Sequence, residues 1–272
     1  MENFREEFRF IGVAGDWHGD TDWAVYAMSQ FKERNINHVL HVGDFGFWPG
    51  KEGQDYLNAV NKQGELHNIT VYVTMGNHED YVQVATFVPH PLMEGFVYDP
   101  NYPNILVAER GARWDWNGVS LVSLGGANSI DFGNLTPNIS WWAEEQISLG
   151  DIYRTVAGGT ADIMVAHDCP DGVDIIDTHR NDDDWSPEAL AYAVKSREAL
   201  RQVVDGVKPG MLLHGHYHAY RDLRTTLNDG SEDYMLHTVG LDMNGHESNL
   251  IVMELTTRRY VRLPVSAEKL HG

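Results

Sequence analysis

Apolar residues in the first third of the chain follow two periods that alternate. Residues 8–14, 39–42 and 69–75 form short apolar runs typical of strands, and the second is rich in branched side chains. The segments 24–31 and 56–66 between them carry apolar residues at helical spacing instead. The order strand, helix, strand, helix, strand predicts a parallel sheet with right-handed crossovers.

From about residue 96 onward, short apolar stretches alternate with turn residues. The pair Asn117-Gly118 separates two such stretches, at 112–116 and 119–124, and predicts a hairpin. The later predicted strands are 163–166, 211–213, 236–239 and 250–255. The last two are expected to be antiparallel strands near the C-terminal end. This mixture predicts an α/β fold with two packed sheets flanked by helices.

Three polar segments predict helix starts. Thr21 or Asp22 is expected to cap the first helix. The segment 140–145, Ser-Trp-Trp-Ala-Glu-Glu, is interpreted as a capped start of another helix. At 186–188, a Ser cap, a Pro at the first helical position and a Glu in the first turn predict a helix that runs to about Val204.

Composition limits the class of protein and its partners. The 272 residues are 42% hydrophobic and 22% charged, and no low-complexity linker divides them, so we expect a single domain over 1–272. The formal net charge of -20 argues against a broad basic surface for duplex DNA or anionic lipid. Any anionic ligand, such as a phosphate, would therefore have to be attracted by a local group of charges. The three consecutive acids at 182–184 are interpreted as a solvated loop rather than a lid.

The first residues and the cysteine content bear on location. Residues 1–7 have mixed charge rather than the apolar core of a signal peptide, and no run of about 18 apolar residues occurs. Cys169 is the only cysteine, which rules out an intramolecular disulfide and favours a reducing compartment. We therefore expect a cytoplasmic protein with no membrane association, and a buried Cys169.

Five predicted strands are followed by residues of metal-ligating type: Asp16 and His18, Asp44, Asn77 with His78, His167, and His216 with His218. Each alone is weak evidence, although Asp16 and His18 would project to the same side of an extended backbone. Ligands bind at the carboxyl ends of strands in open α/β sheets, so five such ends point to one site. Two carboxylates, one carboxamide and four imidazoles, besides His78, exceed the needs of one metal. Two ions that share Asp44 would use all of them.

The blocks that carry these residues resemble the calcineurin-like metallophosphoesterase superfamily. They are Gly15-Asp16-Trp17-His18, Gly43-Asp44, Gly76-Asn77-His78-Glu79, His167 and Gly215-His216-Tyr217-His218, in family order over residues 15–218. The stretches 125–131 and 140–142 resemble a segment of some bacterial and phage members. The resemblance implies a two-sheet β-sandwich with helices on both outer faces, which is a four-layer fold.

The resemblance also implies a ligand scheme and a reaction. The scheme has Asp16, His18 and His218 on one ion, Asn77, His167 and His216 on the other, Asp44 as the bridge and His78 as a catalytic non-ligand. A hydroxide that bridges two divalent ions attacks phosphorus, while His78 stabilises the developing charge or protonates the leaving oxygen. The chain is thereby expected to be a dinuclear metal-dependent phosphoesterase. Manganese is the favoured metal, with iron, zinc, nickel and cobalt as alternatives.

One block departs from a well-known branch of the superfamily. Ser/Thr protein phosphatases follow Gly-Asp with a further Asp-Arg, whereas residues 44–48 here read Asp-Phe-Gly-Phe-Trp. This difference disfavours a protein phosphatase and favours a phosphodiester or nucleotide-like substrate, including a nucleic-acid end, over a simple monoester. It also leaves the orienting partner of His78 open, with Glu79 and Asp80 as candidates.

Two other functions stay open at this point. The chain is either an enzyme or a noncatalytic metal-binding or scaffold protein that retains the fold, and the complete ligand set together with His78 favours the enzyme. A metallohydrolase that acts on carbonyl esters is the third alternative. Trp141 and Trp142 either border the site, where they line a pocket or stack on a base, or anchor a helix in the core.

Overall fold

Two β-sheets lie at the centre of the structure, a computed structural model that describes residues 8–175 and 185–270. The first seven residues and the acids at 182–184, on which two sequence expectations rest, lie outside the described residues. The strands are β1 (Phe10–Ala14), β2 (His38–His41), β3 (Thr70–Thr74), β4 (Val88–Pro89), β5 (Phe96–Tyr98), β6 (Ile105–Ala108), β7 (Arg113–Trp116), β8 (Val119–Leu124), β9 (Ile163–Ala166), β10 (Met211–His214), β11 (Arg221–Asn228), β12 (Asp233–Gly240), β13 (Leu250–Glu254) and β14 (Arg259–Arg262). The helices are α1 (Thr21–Glu33), α2 (Gly50–His67), α3 (Tyr81–Val84), α4 (Leu149–Ala157) and α5 (Pro187–Val207). Within the described ranges, none of these helices has the length and apolar character needed to cross a membrane.

Both sheets have a parallel centre and antiparallel edges. The first sheet has the order β14-β13-β1-β2-β3-β6-β5-β4, and the second has the order β11-β12-β10-β9-β8-β7. Strands β1, β2, β3 and β6 are parallel, and α1 and α2 connect the first three, as the alternating periods predict. Among the C-terminal strands predicted to be antiparallel, β13 pairs antiparallel with β1, and β12 pairs antiparallel with β11. However, β12 also pairs parallel with β10.

Side chains from both faces of the central strands are buried, which explains why these strands read as continuous apolar runs. In β2, Val39 packs against α1 and α2, whereas Leu40 points into the layer between the two sheets. In β9, Val165 lies between the sheets and Met164 packs towards α4 and α5. Cys169 is buried on that same helix side, as expected. The layers are therefore helix, sheet, sheet and helix, which confirms the predicted architecture.

The ends of two long helices follow capping rules, with one correction. The residue that caps α1 is Asp20, whose carboxylate accepts the Trp23 N–H at 2.9 Å, so the prediction of Thr21 or Asp22 is wrong by one or two positions. Ser186 caps α5 as predicted, and Pro187 takes the first helical position. This helix continues three residues beyond the predicted end, to Val207.

The predicted helix start at Ser140 is wrong. The Ser140 hydroxyl accepts the Thr136 N–H at 2.9 Å and so closes a turn behind it instead of capping a helix ahead of it. Residues 143–145 form one 3-10 turn, and the helix begins only after Ser148. Ser148 and Asp151 form a reciprocal capping box, which is a stronger start signal than a single Ser.

The hairpin prediction at Asn117-Gly118 is confirmed. Strands β7 and β8 pair antiparallel on either side of it. Asn117 and Gly118 both have positive φ, at 56° and 79°, as expected for a turn whose twist matches that of the strands. Asp115 supports the turn by accepting the Gly118 N–H at 2.8 Å.

Candidate metal centre

All eight residues predicted for the site come together beyond the carboxyl ends of five strands. The strands are β1, β2 and β3 of the first sheet and β9 and β10 of the second, and each set is parallel within its sheet. The loops that follow them carry Asp16, His18, Asp44, Asn77, His78, His167, His216 and His218. Short contacts between side chains from different strands, described below, connect these residues into one cluster.

One part of the cluster consists of Asp16, His18, Asp44 and His218. Each of these residues offers one ligand atom, and the four atoms lie within 4.8 Å of one another. His18 Nε2 lies 3.5 Å from Asp44 Oδ2, and His218 Nε2 lies 3.5 Å from Asp16 Oδ2. Asp16 Oδ1 is buried and has no hydrogen-bond partner among the described residues. An orphaned carboxylate oxygen beside two imidazoles fits a bound cation.

The other part consists of Asp44, Asn77 and His167, with His216 beside them. His167 Nδ1 lies 2.8 Å from the carbonyl oxygen of Val42, which can only accept, so Nδ1 carries a proton. His167 Nε2 lies 2.9 Å from Asn77 Oδ1 and 3.3 Å from Asp44 Oδ1. A neutral His167 would direct a lone pair at two acceptor oxygens, and a cation between them removes that conflict.

Burial and neighbouring charges shift the pKa values of the two carboxylates in opposite directions. Burial would raise the pKa of Asp44, but the charge of the neighbouring His167 holds that pKa well below its ordinary value. Burial raises the pKa of Asp16 to about 7, and the negative charge of Asp44 adds to the rise. Asp44 is therefore the carboxylate that stays ionised most readily, as a bridge between two cations requires.

The four imidazoles also form two pairs, one with raised and one with lowered pKa values. Burial would lower the pKa of His18 and His167, but contact with Asp44 raises these pKa values to about 9 and about 10. Burial and the charge of His18 lower the pKa of His218 to about 3, and burial and the charge of His167 hold the pKa of His216 well below 6.5. Without a bound cation, two imidazolium groups thus balance the carboxylates, and a metal would displace their protons.

The loops reach this arrangement through left-handed backbone conformations. His18, Asp44, His216 and His218 have φ values of 47°, 51°, 71° and 48°. Such values are uncommon for residues other than glycine and concentrate at functional sites. The backbone at 16–18 is therefore not extended throughout, and the Asp16 and His18 side chains converge although His18 has a left-handed conformation.

Glycines next to the ligands leave room for them. A Cβ on Gly215 would lie 2.0 Å from Asp16 Oδ1, and one on Gly76 would lie 2.1 Å from Asp44 Oδ1. Both distances are far below contact distance, so any larger residue would displace a carboxylate. The glycines of these two sequence blocks are thus steric requirements of the neighbouring loops.

Glu79 and Asp80 do not orient His78 as suggested, because both carboxylates have other partners. The buried Glu79 carboxylate accepts three successive backbone N–H groups from residues 45–47, at 2.5, 3.2 and 2.8 Å. Asp80 caps α3 through the Gln83 N–H. His78 is held through its backbone instead, since its N–H donates to Asp44 Oδ1 at 2.9 Å and its carbonyl accepts from Trp48 Nε1 at 3.0 Å.

Sequence reasoning missed two supports of the ligands. Asn244 Oδ1 lies 3.0 Å from His18 Nδ1, and the Asn244 amide donates to Asp20 at 3.0 Å, which fixes the amide orientation. The Asn-Gly sequence around residue 244 gives no sign of this contact, because His18 lies 226 positions away. The contact leaves Nε2 of His18 to face the cluster.

The second missed support is a buried network beneath Asn77. The Asn77 amide donates to Ser129 Oγ at 3.0 Å, and the Ser129 hydroxyl donates to Glu145 Oε2 at 2.6 Å. Glu145 Oε1 also accepts from Trp141 Nε1 and from the Tyr192 hydroxyl, each at 2.9 Å. The resemblance found at residues 125–131 covers this loop but does not indicate the role of Ser129 within it.

Two cavities open onto this region and share His78. One, of about 230 Å³, is lined by Asp44, Asn77 and His216 among others. The other, of about 300 Å³, includes Trp142 in its wall. Trp142 therefore borders the site, although it is also largely buried and belongs to no helix.

The chain was compared with known proteins by sequence and by structure. The family model described as calcineurin-like phosphoesterase matches residues 11–220, well over half of the chain. One crystal structure aligns over 95% of this chain and 99% of its own chain, with a TM-score of 0.56 and 12% identity. A dimetal phosphatase from Danio rerio aligns over 89% of this chain and 91% of its own, with a TM-score of 0.52 and 16% identity. Both similarities concern the fold. No curated protein sequence gives a significant match.

Proposed function

This chain belongs to the calcineurin-like phosphoesterase family, whose members hydrolyse phosphate esters, and from that premise we propose that it is a dinuclear phosphodiesterase. The proposed dinuclear centre would be formed by the cluster of side chains beyond the carboxyl ends of the five strands. One observation carries the proposal: the two oxygens of Asp44 face two different sets of ligands, with Oδ2 at 3.5 Å from His18 Nε2 and Oδ1 at 3.3 Å from His167 Nε2. A carboxylate in that position is suited to bridge two ions.

The remaining ligands divide between the two sides of Asp44. Asp16, His18 and His218 would hold one ion, and Asn77, His167 and His216 would hold the other. The contact of His18 Nδ1 with Asn244 and that of His167 Nδ1 with Val42 support this assignment, because each leaves Nε2 available.

The chemistry divides between the ions and the chain. Bound divalent cations lower the pKa of a water and neutralise phosphate oxygens. His78 stands in the wall of the cavity, and its ring centroid lies 6.2 Å from that of His18. From this position it stabilises charge on the leaving oxygen or donates a proton to it. The backbone bonds of His78 to Asp44 and Trp48 hold it there.

Substrate class and metal identity complete the proposal. A diester or nucleotide-like substrate is preferred because residues 44–48, Asp-Phe-Gly-Phe-Trp, lack the further Asp-Arg that protein phosphatases carry after Gly-Asp. The mixture of carboxylate, carboxamide and imidazole ligands suits manganese, with iron, zinc, nickel and cobalt as alternatives. A cytoplasmic location stays a prediction that rests on the cysteine content.

The test is release of nitrophenolate from bis(p-nitrophenyl) phosphate by chelator-stripped protein, with and without manganese. The proposal expects manganese-dependent release in the wild type. His78→Ala should retain metal and lose most turnover, Asp44→Asn should lose both, and His90→Ala, outside the cluster, should change neither. Metal loss in His78→Ala or full activity in Asp44→Asn would overturn the residue roles. Bound metal without release from this diester would favour a monoesterase or the noncatalytic alternative.

A further inference from the structure

The cavity of about 300 Å³ next to the metal centre is lined differently from the centre itself. Its walls are mainly apolar and aromatic, with one carboxylate at the rim, and it contacts the centre through His78. The residues that define it are Trp48, Leu135, Ile139, Trp142, His78 and Glu52. Its volume is at the lower end of the range for small-molecule sites, roughly 300–1,000 Å³.

One wall of the cavity is the indole of Trp48, which is held at both ends. The Trp48 Nε1–H donates to the His78 carbonyl at 3.0 Å. Its ring packs on Gly19, where a Cβ would lie only 3.0 Å from ring atoms. The indole plane is therefore fixed relative to His78 and to the loop that carries His18.

The segment 135–142 contributes another part of the cavity wall and is held by its own backbone hydrogen bonds. The carbonyl of Thr136 accepts the N–H groups of Ile139, Ser140 and Trp141 at 3.1, 2.9 and 3.2 Å. Trp142 is 3% exposed, so its indole is locked in the fold. A pocket with walls this well fixed needs little ordering when a ligand enters, and rigidity of this kind favours binding.

We propose that this cavity is a subsite for a flat aromatic group, the class to which a nucleobase belongs, attached to the phosphate on its leaving side. The proposal rests on the proposed function, in which His78 acts at the leaving oxygen. Because His78 stands between the two cavities, the group beyond that oxygen extends into the apolar one. Indole walls suit a planar ring because aromatic side chains stack on the π-face of any base. Glu52 at the rim offers an acceptor for ring N–H groups.

The test measures binding of adenosine, which has no phosphate, to the manganese-loaded protein by calorimetry. Ile139→Glu places a charge in the wall at a side chain that is 63% exposed, so folding is preserved. Leu149→Glu is the matched control, because Leu149 is 68% exposed and lies at the start of α4, outside the cavity. Inorganic phosphate serves as a second probe for the metal centre alone.

The subsite predicts that wild-type protein binds adenosine. Ile139→Glu should weaken this binding by about tenfold or more, because a ring that enters the cavity would have to displace water from the new carboxylate. Leu149→Glu should bind adenosine as the wild type does, and both variants should bind phosphate unchanged. No measurable adenosine binding, or equal affinities in the two variants, would refute the subsite. Since adenosine binding needs no turnover, this result is independent of whether diester hydrolysis is observed.

Discussion

Replacement of Ser129 by alanine removes the contact that orients a proposed metal ligand while leaving every ligand in place. The Ser129 hydroxyl accepts from the Asn77 amide at 3.0 Å and donates to Glu145 Oε2 at 2.6 Å. Without it, the Asn77 amide is free to turn its NH₂ group towards the metal centre, where His167 and Asp44 also lie. An NH₂ group cannot ligate a cation, so the productive orientation must be selected at each binding event.

The size of the effect follows from these contacts. Loss of a hydrogen-bond partner that orients a ligand typically weakens metal binding by roughly 10- to 100-fold, or about 1.4–2.8 kcal/mol. Glu145 Oε1 keeps its donors from Ser129 N, Trp141 and Tyr192, whereas Oε2 loses the hydroxyl. The variant should therefore also lose about 1–3 kcal/mol of unfolding free energy.

Ser123→Ala is the matched control, because Ser123 is also buried and its hydroxyl bonds to Thr74 Oγ1 at 2.9 Å, away from the ligands. The assay is calorimetric titration of manganese into chelator-stripped protein, with thermal unfolding measured alongside. Both variants should lose stability, but only Ser129→Ala should show the weaker metal Kd. Wild-type affinity in Ser129→Ala, or an equal loss in Ser123→Ala, would refute the proposed role.

Three further predictions concern sterics, pH and stability. Gly215→Ala should lower bound metal by at least roughly tenfold, measured as metal content after gel filtration, because its Cβ would lie 2.0 Å from Asp16 Oδ1. The pKa values of His18 and His167, about 9 and about 10, lie above the ordinary 6.5. The stability that these protonated groups give the metal-free protein is therefore complete below pH 6.5 and is lost as the pH rises through 9 and 10. Metal affinity should rise over the same window, with release of roughly two to three protons near pH 7: one each from His18 and His167 and part of one from Asp16, whose pKa is about 7. Calorimetry in buffers of different ionisation enthalpy measures this release. Asp151→Asn should destabilise the protein by about 1 kcal/mol through the α4 capping box. Burial would raise the pKa of Asp151, but the capping hydrogen bonds from Ser148 hold it below 3.8, so the difference should be complete above pH 3.8 and be lost as the pH falls through the lowered pKa. Chemical denaturation at pH 7 and pH 3 tests this difference.

The layers of the fold and the proposed ligand set can both be predicted from short stretches of sequence, because each depends on the local pattern of apolar and polar residues. An apolar run such as that of β2 is buried on both faces wherever it lies in a parallel sheet. A polar residue directly after such a strand can only sit at the sheet's carboxyl edge. The contact of His18 with Asn244 is different, since it joins two loops 226 positions apart and depends on how the sheets pack. No local pattern encodes it.

The incorrect prediction of a helix start at Ser140 shows that tertiary packing can also decide the structure of a short segment. A Ser before apolar and acidic residues satisfies the rules for a cap, but its hydroxyl can equally accept an N–H behind it. Here three N–H groups from 139–141 bond to Thr136, and that closed turn competes with helix formation. The outcome depends on Trp142, which is buried beside the site, and therefore on tertiary packing.

Two buried carboxylates that are not ligands explain how loops, rather than strands, can carry this centre. Glu79 binds three successive N–H groups after Asp44, and Glu145 fixes Ser129 beneath Asn77. Burial of a carboxylate is costly unless several donors satisfy it, so each of these groups strongly favours one loop conformation over others. Asp44 is thereby held in its left-handed conformation, with φ of 51°, by contacts that do not involve a cation. Metal binding then requires loss of protons but little movement of the chain, as expected for a preorganised site.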